Sequence, residues 1–80
     1  MNISQAVANR IRELLKVNKM TQYKLEQVSG LSHNTIKSIM KGKAKCVNLR
    51  TLVLISYDFG ISVVEFLNTE NFKYKNLNID

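Results

Sequence analysis

The stretch Thr21-Gln22-Tyr23-Lys24-Leu25-Glu26-Gln27-Val28-Ser29-Gly30-Leu31-Ser32-His33-Asn34-Thr35-Ile36-Lys37-Ser38-Ile39-Met40-Lys41-Gly42 decides how this chain folds. It reads as two short helices pinned around one glycine. Leu25 and Val28 are spaced to share a face of the first helix, and Ile36, Ile39 and Met40 do the same for the second. Gly30 supplies a residue that takes up positive φ without a Cβ clash, as a sharp interhelical turn needs. Leu31 plugs that turn, and the Ser32 hydroxyl caps the second helix. His33, Asn34, Thr35, Lys37, Ser38 and Lys41 are left on faces that need bury little. A polar, basic helix face without an acidic residue suits the major groove of DNA.

The rest of the chain is predicted to be helical around this pair. A first helix runs from about Ile3 to Lys19, with Val7, Ile11, Leu14 and Leu15 as its apolar stripe and Asn2 with Gln5 as a capping box. A fourth runs from about Leu49 to Phe59 behind an Asn48 cap, turning Leu49, Leu52, Ile55 (or Ser56) and Phe59 inward. A short fifth opens on Ser62 and Glu65, a second capping box, and closes near Leu67. Gly30, Gly42 and Gly60 each follow a helix end, and no proline interrupts a helix. The expected class is all-α. In residues 69–80, Phe72 and Tyr74 alternate with lysines before the phase shifts at Leu77 and Ile79. That segment is read as a short strand, a frayed polar tail or a dimerisation arm.

Composition narrows the function. Eighty residues with 45% apolar side chains make one small domain. No apolar run approaches the roughly 18 residues of a membrane span, and Met1-Asn2-Ile3-Ser4 does not open a secretion signal, so a cytoplasmic protein is expected. Cys46 is the single cysteine, which rules out an internal disulfide and leaves no zinc-site partner; no metal or cofactor is expected. The net charge is +6, and no acidic residue falls between Glu26 and Asp58. Lys37, Lys41, Lys43, Lys45 and Arg50 lie in that interval, and Arg10, Arg12, Lys16 and Lys19 add to the basic total. A one-signed block of this kind attracts a polyanion. With one histidine, one cysteine and no evident acid–base pair, an enzyme is not expected.

Thr21-Gln22, Leu25, Gly30-Leu31-Ser32, Thr35-Ile36, Ile39, Lys41-Gly42-Lys43, Leu52, Ile55, Gly60-Ile61-Ser62 and Glu65-Phe66-Leu67 together resemble the phage-repressor (Cro/CI, XRE-type) helix-turn-helix family, over about residues 3–68. The resemblance implies a five-helix lambda-repressor-like domain over residues 1–68 that binds double-stranded DNA and regulates transcription, most simply as a small repressor. It implies that His33, Asn34 and Ser38 read base edges, and Asn34 has the amide that bonds adenine bidentately. His33 is suited to guanine N7 or a phosphate, and Ser38 is short enough to allow close approach. By the same resemblance Gln22 contacts a phosphate and braces the first residue of the recognition helix. Ser32 and Thr35 cap the helix or touch the DNA backbone, and Lys37 reaches a phosphate or faces solvent. Lys41, Lys43 and Lys45 flank Gly42 in a loop along the sugar-phosphate backbone. Asn48 approaches a phosphate or only caps its helix.

Two positions depart from the family pattern. Glu26 stands where a small residue usually packs between the motif helices, so either the helices splay or the carboxylate reaches out to a lysine or arginine. Met40 replaces a frequent glutamate and makes the face more basic. Leu54, Tyr57 and Val64 are apolar where relatives are more often polar, which points to a homodimer and an inverted-repeat operator. An antitoxin whose tail binds a toxin, and an interaction module without DNA binding, are the alternatives.

Overall fold

Each helix begins where a short polar side chain turns back on the backbone. Asn2 Oδ1 accepts from the Gln5 N–H at 2.8 Å while the Gln5 side chain accepts from the Asn2 N–H at 2.9 Å, and this reciprocal box opens α1 (Ile3–Val17). Thr21 caps α2 (Gln22–Ser29), Ser32 caps α3 (His33–Met40), Asn48 caps α4 (Leu49–Asp58) and Ser62 caps α5 (Val63–Leu67). In every case the side-chain oxygen takes the N–H three residues on, one of the donors a helix start leaves unpaired. The computed structural model describes residues 1–43 and 47–78. The expectations for Lys45, Cys46 and Ile79 lie outside those residues.

Side-chain burial then sets the tertiary arrangement. α1 lies on α3, α2 lies on both α3 and α4, and α4 carries α5. Val7, Ile11 and Leu14 meet Leu25, Ile36, Ile39, Met40, Leu52, Ile55, Phe59 and Phe66 in one core. Each fully buried large side chain among them contributes about 1.5–3 kcal/mol. Gly30 sits at φ 73° at the end of α2, and a Cβ there would touch nothing, so backbone conformation alone requires glycine. Leu31 follows it and packs against the core, as its position in the turn predicted.

Arg10 and Arg12 fasten helix ends. Arg10 Nε donates to the Phe66 carbonyl at 2.8 Å, its Nη2 donates to the Glu65 carbonyl at 3.1 Å, and its guanidinium lies 5.9 Å from the Phe66 ring centre. Arg12 donates to the Met40 carbonyl at the end of α3. Carbonyls of a last helical turn lack intrahelical donors and carry the negative end of the helix dipole, so a guanidinium satisfies both needs. Two cations first counted with the basic block therefore hold the fold together.

Four details differ from the sequence reading. Leu49 is 64% exposed, so the inner face of α4 is Leu52, Ile55, Ser56 and Phe59. Val28 is exposed too, leaving Leu25 as the buried residue of α2. Residues 72–75 form no strand: two 3-10 turns, Glu70–Phe72 and Tyr74–Asn76, occupy that segment. Alternation without a neighbouring strand leaves ladder groups unpaired, and local turns pair them instead. Nor does this stretch hang loose. The Phe72 ring tilts against Phe66 at 6.2 Å, the Asn78 N–H donates to the Met1 carbonyl at 2.9 Å, and the N-terminal ammonium donates to the Asn76 carbonyl at 3.3 Å.

Candidate nucleic-acid interface

α3 buries Ile36, Ile39 and Met40 and leaves His33, Asn34, Thr35, Lys37, Ser38 and Lys41 exposed. The split follows the 3.6-residue period of the sequence. The Met40 side chain is part of the core, so this position contributes apolar packing and not a group on the exposed face. Ser32 Oγ accepts the Thr35 N–H at 3.1 Å, and the two hydroxyls stand 2.8 Å apart. Both residues thus build the cap while staying on the surface.

Asn34, Thr35 and Ser38 form one wall of a groove of about 380 Å³ whose other wall is Val47, Asn48 and Thr51. Ile39 also lines it. The groove brings two of the candidate base-reading residues, Asn34 and Ser38, together with Asn48. Asn48 Oδ1 caps α4 by accepting the Thr51 N–H at 2.8 Å, and its amide nitrogen takes no part in that cap. Thr51 was not singled out from sequence. Its signal was its position, three residues after the Asn48 cap, in the first turn of a helix that faces the motif.

Among the described residues the Glu26 carboxylate finds no lysine or arginine; its partners are a histidine and an amide instead. Glu26 Oε1 lies 2.9 Å from His33 Nδ1, and Gln22 Nε2 donates to Glu26 Oε2 at 3.4 Å. The Glu26 side chain is only 12% exposed, and that of His33 is 64% exposed. Gln22 is thus linked to the first residue of α3 through the carboxylate.

Lys37, Lys41 and Lys43 are all exposed, on α3 and in the turn after it. Gly42, at φ 67°, turns the chain between Lys41 and Lys43 against Gln5. No helix among the described residues is long and apolar enough to cross a membrane.

Residues 10–71 match the Cro/C1-type helix-turn-helix DNA-binding domain. The chain belongs to that family. It is a DNA-binding regulator of transcription, and the family is regulatory, not enzymatic. Among curated proteins it is similar to control protein C.SmaI of Serratia marcescens, at 29% identity over 73 residues covering 91% of this chain and 86% of that one. Among solved structures the prophage Lp1 protein 11 matches with a TM-score of 0.82 at 22% identity, over 91% of this chain and 97% of that one. Apo-HppE matches with a TM-score of 0.67 at 18% identity, over 96% of this chain and 43% of that longer one. At these identities the two structures speak for the fold alone.

The Cro/C1-type domain has a second exposed face. Leu49, Val53 and Tyr57 recur every fourth residue of α4 and are 64%, 46% and 81% exposed. Val64 on α5 is 73% exposed, whereas Leu54 is half-buried. Of the three apolar positions singled out in the sequence, Tyr57 and Val64 are therefore exposed and Leu54 is partly covered, while Val53 is a further exposed apolar residue.

Proposed function

We propose that this protein is a sequence-specific regulator, most simply a dimeric repressor, that lays α3 in the major groove of an inverted-repeat operator. The observation that carries the reading is the composition of the α3 surface. Its exposed side chains are hydrogen-bonding or cationic, none is acidic, and Asn34, Thr35 and Ser38 among them line a groove with Asn48 and Thr51 on a Cro/C1-type domain. In this reading Asn34, Ser38 and His33 address base edges. Gln22, Ser32, Thr35, Lys37, Lys41, Lys43, Lys45 and Asn48 meet phosphates. The likeness to a protein named a control protein supports a regulatory role.

A single α3 covers few base pairs, and two copies related by a two-fold axis place their helices about 34–36 Å apart on successive major-groove faces. Leu49, Val53, Tyr57 and Val64, with half-buried Leu54, offer an apolar patch for that contact. Phe72 packs on the domain's own Phe66, so of the two tail aromatics only Tyr74, 81% exposed, is available as reinforcement. An antitoxin would need the tail for a toxin, and no observation favours it.

Gel shifts with genomic fragments at about 50 and 200 mM salt test the reading. Binding confined to a few fragments, and weakened at the higher salt by phosphate-contact release, is expected. Equal binding to all fragments would remove sequence specificity, and no binding would remove the function.

A further inference from the structure

His33 is the chain's one histidine and the first residue of α3, where its ring is held from behind by Glu26. The bond is 2.9 Å long and uses Nδ1. A carboxylate only accepts hydrogen bonds, so Nδ1 must carry the hydrogen. That assignment settles what the far nitrogen, Nε2, can offer. In a neutral ring bonded this way Nε2 is a lone-pair acceptor, and only the protonated ring donates there.

Phosphate oxygens and guanine N7 and O6 are acceptors. A neutral His33 facing any of them places two lone pairs against each other. An unbraced histidine escapes by moving its hydrogen to Nε2, but here that would put the Nδ1 lone pair against the Glu26 carboxylate. The remaining way to donate at both nitrogens is to take up a proton. The surrounding charge favours this, because the ring would sit between the Glu26 carboxylate on α2 and the DNA polyanion. Lys37, one turn further along α3, is the nearest opposing charge on its own helix. Among the described residues no other ionisable side chain pairs with the ring.

We propose that Glu26 is a positioning residue that fixes His33 with its hydrogen on Nδ1, so that His33 engages DNA as an imidazolium donating from Nε2 and DNA binding takes up a proton. The partner is an acceptor atom, either a guanine edge or a phosphate. This rests on α3 facing DNA as proposed above. Gln22 completes the device by holding the second carboxylate oxygen.

Two measurements test it. In the free protein, a long-range proton–nitrogen NMR spectrum isolates this single imidazole. The neutral ring should carry its hydrogen on Nδ1, and a neutral ring protonated on Nε2 would overturn the proposal. The second measurement is affinity for a fragment selected by gel shift, from about pH 8 to about pH 6. Affinity should rise about tenfold, as uptake of up to one proton allows. Glu26→Gln should flatten that profile, because its amide can donate to Nδ1 and let a neutral ring donate from Nε2. His33→Ala should flatten it as well, and thermal melts would show that both variants fold. Asn34→Ala should bind more weakly with the slope intact. Loss of the slope when one guanine is replaced by 7-deazaguanine, which lacks N7, or by 2-aminopurine, which lacks O6, identifies a base edge, and a slope retained on every such substitution identifies a phosphate. Wild-type binding with a flat profile, or an unchanged slope in His33→Ala, overturns this proposal alone. Absence of any DNA binding overturns the α3 reading and this proposal with it.

Discussion

Helices α3 and α4 share an inner design and differ in their outer faces. Each starts on a side-chain cap, and each sends an aliphatic stripe into the same core: Ile36, Ile39 and Met40 from one, Leu52 and Ile55 from the other. Outward, α3 shows amides, hydroxyls, an imidazole and lysines, whereas α4 shows Leu49, Val53 and Tyr57 around Arg50. Folding needs only the inner stripes, so the outer faces are free to serve partners. A face rich in hydrogen-bonding groups is fitted to a hydrated polyanion, and an apolar one to another apolar surface.

The inner stripes should be equivalent, and this is the largest effect. Ile36→Ala and Ile55→Ala, at 1% and 0% exposure, should each cost about 2–5 kcal/mol in denaturant unfolding. A marked inequality would mean that one helix is peripheral to the core.

The outer faces should separate. Replacing both Val53 and Tyr57 by lysine should leave unfolding nearly unchanged, since both are exposed. The same change should halve the mass measured by light scattering and weaken operator binding by about 100-fold or more as paired attachment is lost. A wild type that is monomeric where it binds DNA, or a double variant that stays dimeric, would break the comparison on the α4 side. On the α3 side Asn34→Ala should cost about 1–3 kcal/mol on the cognate site and little on unrelated duplexes, the mark of a base contact. An equal loss on all sequences would make Asn34 a backbone contact.

Much of the fold could be read from the chain because it is local. Caps act over three residues, the glycine turns over two or three, and core stripes over one helical period, so Asn2, Thr21, Ser32, Asn48 and Ser62 announce their helices. What escaped depends on distant partners. Arg10 reaches carbonyls more than fifty residues away, and nothing near it in sequence reveals this. Leu49 begins a helix whose buried side is fixed only when α2 and α5 meet it. Glu26 and His33 are brought together across the Gly30 turn, so the carboxylate's partner was missed although the departure at Glu26 was visible. The polar face of α3 was legible from its period, but the groove with Asn48 and Thr51 needed the packing of α4.

Two half-buried carboxylates sharpen the contrast at a smaller scale. Glu26 beside α3 has two hydrogen-bond partners, whereas Asp58 ends α4 with a buried Oδ2 that has none among the described residues. Burial raises the Asp58 carboxyl above its usual value of 3.8. The folded state therefore binds this proton more tightly than the unfolded chain does. The stability it confers is present below pH 3.8 and is lost as pH rises through the raised value. Asp58→Asn should accordingly melt higher than wild type at neutral pH, with the gap closing below that range. A gap that persists in acid would point to a cause other than ionisation.

The most direct test of which face meets DNA is an NMR titration with the selected operator duplex, following backbone amides. Shifts and broadening should concentrate at Gln22, at residues 32–38 and at Asn48 and Thr51, while Val53, Tyr57 and Val64 stay still once the protein is dimeric. Changes centred on Val53, Tyr57 and Val64, with α3 unmoved, would contradict the account.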